Sequence, residues 1–181
     1  MAHRALVAYE RPDGDYDLHH SRWGGTDLSL ARRITAETPF GGPGGVRARR
    51  GPSPEVGPRP VERRPTDVGL DFDGVLDAVD VRRHEALYVV GEDYAVTAYL
   101  PLWFGLPGVA PDVTAGALVA VDPDGGPYGG PRIRRWFRAT KGVVADAVDC
   151  GALTRDEAVA YLAGRVEERA GDSREVVLVV P

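Results

Sequence analysis

Hydrophobic and polar positions change their pattern along the chain, and each change predicts a different element. Extended runs rich in β-forming residues occupy 4–10 and 16–23, on either side of a Pro-Asp-Gly turn signal, and predict a β-hairpin. Residues 28–34 follow with hydrophobic side chains at helical spacing. They predict a first helix that ends before Pro39.

The second half of the chain predicts a further hairpin and two long helices. Runs of β-branched and aromatic residues at 86–90 and 94–100 flank a Gly-Glu-Asp turn, which predicts the hairpin. Residues 67–81 have a mixed pattern that predicts a short strand or a turn, followed by a helical turn. The remaining predicted elements are a strand at 117–121, a helix from Pro131 to Val148, a helix from Thr154 that stops at Gly171, and a strand at 175–180.

The starts of the two long helices have clear sequence signals. Pro131 suits the first turn of a helix, because its missing N–H has no intrahelical partner there. Thr154 and Glu157 have the Thr-x-x-Glu spacing of a capping box. Taken together, the elements predict an α+β fold in which about three helices pack on one face of a mainly antiparallel sheet, within a single domain at 1–181.

Residues 41–65 separate the first helix from the rest of the chain. They hold six glycines and six prolines in 25 residues, and only Val46, Val56 and Val61 could reach a core. Fixing the backbone costs about 1 to 2 kcal/mol per residue, which three valines cannot offset. We expect a flexible loop here, and a loop of this length inside a small domain is typically functional or disordered.

Composition narrows the class of protein. No apolar stretch reaches the about 20 continuous residues of a membrane span, and charges come too soon at the N-terminus for a secretory signal. We therefore expect a cytoplasmic protein with no membrane partner. Cys150 is the single cysteine, so an internal disulfide and a multi-cysteine zinc site are excluded.

The net charge of −5 conceals two basic islands on an acidic chain. Residues 41–65 carry a balance of +4, residues 131–141 carry +5, and the remaining 145 residues carry −14. Arginine can contact phosphates and stack on bases, so the islands predict association with RNA, the ribosome or another polyanion. The candidate contacts are Arg47, Arg49, Arg50, Arg63, Arg64, Arg134, Arg138 and Lys141. A protein partner for the islands and arginines paired within the chain stay open as alternatives.

A second hypothesis concerns Asp71 and Asp73, within the sequence Asp-Phe-Asp-Gly-Val-Leu. This stretch resembles the first motif of the haloacid dehalogenase-like phosphatases, and that resemblance implies a Mg²⁺-dependent phosphohydrolase with an aspartate nucleophile. The family places the motif after a buried parallel strand, and here only a thin strand is predicted. The alternative is a capped turn in an acidic protein.

The histidines give little support to a metal site. His19 and His20 are adjacent in a predicted strand, so their side chains face opposite sides. One of the two is expected to face the core or to pair with a backbone carbonyl. His84 and Glu85 could complete a site with either histidine, but no spacing requires it. We predict no metal and no cofactor.

Two stretches resemble a family of uncharacterised haloarchaeal small proteins. They are RALVAYERPDGDYDLHHSRWGG at 4–25, with its His-x-x-Trp-Gly-Gly strand end, and HEALYVVGEDYAVTAYLPLWFGL at 84–106. The basic residues, which are arginines apart from Lys141, are also typical of a halophile. The resemblance implies source and architecture and carries no activity. The sequence as a whole favours a non-enzymatic binding module, and it leaves the oligomeric state open.

Overall fold

The protein was analysed as a computed structural model, which describes residues 3–42, 61–106, 108, 110, 112–123 and 129–179. Its Cα positions divide the chain into two compact units. The first unit comprises Met1–Val79 and His84–Ala98, and the second comprises Asp80–Arg83 and Tyr99–Pro181.

Seven strands and four α-helices lie within the described residues. They are β1 (Arg4–Glu10), β2 (Tyr16–Ser21), α1 (Leu30–Arg33), β3 (Asp67–Leu70), α2 (Phe72–Asp77), β4 (His84–Val90), β5 (Val96–Trp103), β6 (Gly116–Val121), α3 (Gly130–Asp149), α4 (Arg155–Ala170) and β7 (Val176–Val179). The class is α+β with a mixed, mostly antiparallel sheet, and the helices number four rather than about three because α2 is a helix in its own right. Among the described helices, none combines the length and the apolar character needed to cross a membrane.

In the first unit the strand order is β3-β2-β1-β4-β5. The predicted hairpin is confirmed, since β1 pairs antiparallel with β2, and Leu6 lies opposite His20. On its other side β1 pairs with β4 in parallel, which places Leu6 opposite Leu87. β1 therefore has a strand on each side, and its residues 5–8, whose side chains alternate between the two faces of the sheet, are all buried and form the centre of this unit's core.

The first helix is much shorter than its pattern predicts. Only Leu30–Arg33 are helical, and Ile34 already has an extended backbone with ψ of 113°. The Thr38 hydroxyl donates a hydrogen bond to the Arg33 carbonyl at 2.6 Å, which takes up an acceptor that a longer helix would use. Leu30 and Ile34 are nonetheless buried, so the spacing identified the buried positions and overestimated the length of the helix.

The second unit contains the helix pair α3 and α4 together with strands β5-β6-β7. In the antiparallel pair β6 and β7, Leu118 lies opposite Val177. The capping box of α4 is confirmed: the Thr154 hydroxyl accepts from the Glu157 N–H at 3.2 Å, and the Glu157 carboxylate accepts from the Thr154 N–H at 2.8 Å. Hydrophobic residues of both helices face inward; they are Ile133, Phe137, Val144, Ala158, Leu162 and Val166.

Candidate functional site

The second basic island lies on α3, and the helix distributes its side chains over different faces. Arg132, Arg135 and Arg138 are exposed, whereas Arg134 and Lys141 are half-buried. The first turn of α3 holds no acidic residue, and the Gly129 N-cap makes no side-chain hydrogen bond. The positive pole of the helix dipole therefore adds to the repulsion among these arginines, and an anionic ligand would relieve both.

Lys141, a predicted phosphate contact, is held within the second unit. Its Nζ donates to the Trp103 carbonyl oxygen at 3.0 Å and lies 4.3 Å from the centroid of the Trp103 ring. Burial lowers the pKa of Lys141 from 10.5 to about 8. Because burial lowers the pKa of Lys141 whereas an arginine keeps its charge, we build the candidate site from arginines.

An open pocket of about 230 Å³ lies where α3 faces the last turns of α4. It is lined by Trp136, Arg165, Glu168 and Arg169, and we call it the arginine-tryptophan pocket. The guanidinium carbon of Arg169 is 5.6 Å from the Trp136 ring centroid, which is a cation–π contact. Arg165 forms an ion pair with Glu168. Arg132 precedes Trp136 by four residues, so the two share a face of α3.

This pocket combines two chemistries that favour nucleic acid. Guanidinium groups bind phosphate oxygens in bidentate geometry, and they keep their charge at any physiological pH. A tryptophan ring that is only half-buried can stack on a base. Side chains of this kind can bind and orient an anion that carries a planar ring.

The first basic island is described only near its end. Arg63 and Arg64 are exposed and follow the buried Val61. The Val61 N–H donates to the Phe40 carbonyl at 2.9 Å, which joins the two ends of the loop, and residue 62 donates to β2. The other three candidates, Arg47, Arg49 and Arg50, lie outside the described residues, as does the predicted flexibility of residues 43–60.

Asp71 and Asp73 have a structural role in a short turn. The Asp71 side chain caps α2 by accepting from the Gly74 N–H at 2.8 Å, and both carboxylates are exposed. The preceding strand β3 lies at the edge of the sheet and pairs antiparallel with β2. The resemblance to the phosphatase motif requires a buried parallel strand at this point, so the fold matches the capped-turn alternative.

The histidines are used in packing. His19 is buried, and its Nδ1 lies 2.8 Å from the Glu62 carbonyl oxygen, which confirms the prediction for one of the adjacent pair. His20 and His84 have ring centroids 6.0 Å apart, while Glu85 bonds to His3 at 2.9 Å. Among the residues that the structure describes, no three metal-binding side chains come together.

Of the residues that line the pocket, the sequence indicates Trp136 alone, which is near enough to the arginines of α3 to assist stacking on a base if it is not buried. Trp136 is predicted to lie on the hydrophobic face of α3, and it is only half-buried. Arg165 and Arg169 belong to an ordinary charged helix surface, where nothing marks them locally. The available signal was Arg169 in the last turn of α4, where a cation complements the helix dipole, and its approach to Trp136 depends on the helical hairpin.

The model of a family of unknown function (DUF6735) matches residues 1–178 of the chain. No curated protein and no solved structure matches it significantly.

Proposed function

We propose that the chain, which belongs to the family of unknown function DUF6735, is a non-enzymatic binding module that associates with RNA, free or in the ribosome. The observation that carries the proposal is the arginine-tryptophan pocket beside the arginine-rich first half of α3. Arg165 and Arg169 would contact phosphates, Trp136 would stack on a base, and Arg132 would extend the phosphate track.

The charge of α3 supports this assignment. Basic side chains in the first turn of a helix lie at its positive pole and destabilise it by about 0.3 to 1 kcal/mol each. Arg132 occupies the third position of α3, where an acidic residue would stabilise the helix instead. A bound phosphate offsets this destabilisation of α3, because it accepts hydrogen bonds from the arginine and is attracted to the positive pole of the helix.

The first basic island is the second part of the proposal. Arg63 and Arg64 are exposed, and with Arg47, Arg49 and Arg50 they would follow a phosphate backbone without a fixed fold of their own. Arg134 and Arg138 lie on other faces of α3 than Trp136, and their contribution to RNA binding stays a prediction.

Arg132→Glu tests the pocket, because binding and stability should move in opposite directions. We expect the free energy of unfolding to rise by about 0.3 to 1 kcal/mol, since the new carboxylate lies at the positive pole of α3. We expect the affinity for a labelled single-stranded RNA to fall about tenfold at low salt, and the dependence of log affinity on log salt to become shallower by about 1. Fluorescence anisotropy and urea unfolding measure the two effects.

The matched control is Arg155→Glu, which places the same change in the first turn of α4. We expect a similar gain in stability and unchanged RNA affinity. An unmodified protein that binds no RNA at low salt, or binds it without a salt dependence, contradicts the proposed function. Equal RNA affinities for both variants contradict the pocket.

A further inference from the structure

The outward face of α3 carries a charge pattern that is symmetric about Gly142. Arg138 and Asp146 lie four residues before and after this glycine, and Arg135 and Asp149 lie seven residues before and after it. All five residues are exposed. Steps of three and four residues keep them on one stripe of the helix, which we call the α3 stripe.

Within one copy of the chain, the charges at both ends of this stripe interact unfavourably with the dipole of α3. The arginines occupy the half of α3 near its positive pole, and Asp146 and Asp149 occupy the end near its negative pole. Arg135 and Arg138 are three residues apart, as are Asp146 and Asp149, so like charges are neighbours. In the part of the chain that the structure describes, none of these four side chains forms an ion pair.

The centre of the stripe is open. A Cβ added to Gly142 would have no atom within 4 Å, so packing within the chain does not explain a glycine here. A glycine inside a helix destabilises it relative to alanine. Val143, the next residue, is 70% exposed, but it lies about 100° around the helix, on the side of Trp136. The centre of the stripe therefore has the small surface that a second helix needs for close approach.

We propose that α3 pairs antiparallel with α3 of a second copy of this chain, across a two-fold axis at Gly142. This pairing places Arg138 of each copy beside Asp146 of the other, and Arg135 of each beside Asp149 of the other. At 1.5 Å rise per residue, the paired charges lie about 6 Å and about 10 Å from the axis on both helices. The dipoles of the two helices then run in opposite directions. The half of each α3 that carries the arginines therefore lies beside the half of the other that carries the aspartates.

The symmetry of the pattern identifies the occupant as a second copy. An RNA strand would be attracted to Arg135 and Arg138 and repelled by Asp146 and Asp149 on the same stripe. An unrelated helix would need the inverted pattern by coincidence, whereas a second copy supplies it by two-fold symmetry. The proposal does not depend on RNA binding, because Arg132 lies beyond the paired residues and Trp136 lies on another face of α3.

Reversing one charge of a pair, and then both, tests the proposed charge pairs. The measurement is sedimentation equilibrium of the full chain at low salt over a range of protein concentrations. We expect a monomer–dimer equilibrium with a dissociation constant in the micromolar range, since a single helix stripe is a small interface. Arg138→Asp should weaken dimerisation at least tenfold because it creates two like-charge contacts, and Asp146→Arg should do the same. The double variant R138D/D146R should restore the dimer, because the pairs are then reversed and again complementary.

Arg155→Asp is the control for a change of charge elsewhere on the helix pair, and it should dimerise like the unmodified chain. A protein that stays monomeric at hundreds of micromolar overturns the proposal. A double variant that dimerises no better than the single variants also overturns it, since an unrelated interface would not respond to reciprocal exchange.

A cysteine at the axis tests the geometry directly. In a Cys150→Ser background, Gly142→Cys brings two thiols together at the proposed axis, and mild oxidation should give a disulfide-linked dimer in high yield. Glu92→Cys in the same background is the control, because it places an exposed thiol in the turn before β5. Equal yields from the two variants contradict the axis at Gly142.

Discussion

The helices α3 and α4 are neighbours in sequence, yet they follow the local rules of helix formation very differently. In α4 a capping box opens the helix, Asp156 and Glu157 occupy the first turn, and Arg169 occupies the last. Each of these features matches the helix dipole. In α3 the N-cap is a glycine without a side-chain bond, the first turn has no acidic residue, and the last turn has no basic one.

The difference shows that α4 has local capping interactions that α3 lacks. A charge pattern that opposes the dipole is retained where something outside the helix compensates for it. For α3 we assign that compensation to RNA at the first turn and to a second copy along the α3 stripe. In α4 the capping box, Asp156 and Glu157 satisfy the first turn, although Arg155 in the same turn opposes the dipole. The predictions below test this contrast, beginning with the largest effect.

Removal of a buried ring should show that α3 depends on packing. Phe137 is 5% exposed, and we expect Phe137→Ala to lower the free energy of unfolding by about 3 to 5 kcal/mol. Leu162→Ala in α4, at a fully buried position, should cost about 2 to 5 kcal/mol. Urea unfolding followed by circular dichroism measures both. A cost below 1 kcal/mol for Phe137→Ala would show that packing does not hold α3.

Loss of the capping box should weaken α4. We expect Thr154→Ala to cost about 1 kcal/mol, because the N–H of Glu157 loses its acceptor. The same unfolding experiment measures it, with Thr97→Ala on an exposed position of β5 as the control. An unchanged midpoint of urea unfolding would mean that α4, like α3, forms without help from capping interactions.

The inner side of α3 carries a cation, and it should make stability depend on pH. The folded pKa of Lys141 is about 8 and lies below the ordinary value of 10.5. Between these values the unfolded chain binds a proton that the folded chain has lost, so the free energy of unfolding should rise with pH from 8 to about 10.5. Lys141→Met should remove this rise.

Lys141 is the only lysine in the sequence, so its Cε signal in a ¹³C NMR titration is unambiguous. We expect a midpoint near 8 in the folded protein. A midpoint near 10.5 would show that the ammonium is as well solvated as on a surface, and that the contact with Trp103 does not bury it.

The smallest effect concerns the missing cap of α3. Gly129 has φ of −61° and ψ of 149°, a conformation that serine adopts without strain. We expect Gly129→Ser to stabilise the protein by a few tenths of a kcal/mol, because its hydroxyl would accept from the first turn. Thermal unfolding detects a change of this size, and a loss of stability would show that the cap position has another role.

The candidate site could be predicted in part. The +5 island could be located on α3 from the sequence, because charge and helical spacing are properties of the sequence, and its role in RNA binding stays a prediction. The pocket could not be derived, since it depends on Arg165 and Arg169 approaching Trp136 across the helical hairpin. The resemblance of Asp71 to a catalytic motif is local, and the strand before it is an antiparallel edge strand rather than the buried parallel strand that the motif requires.

By itself the sequence determined the local elements: the first hairpin, the two long helices and the capping box at Thr154. These follow from patterns within about ten residues, where backbone preference and side-chain periodicity act directly. Only the tertiary structure decided that β1 pairs in parallel with β4, about 80 residues away, and that Lys141 lies under Trp103 rather than among the exposed arginines. Such contacts depend on which surfaces bury each other. The free energy gained by burial depends on the apolar area removed from water and not on how far apart the residues are along the chain.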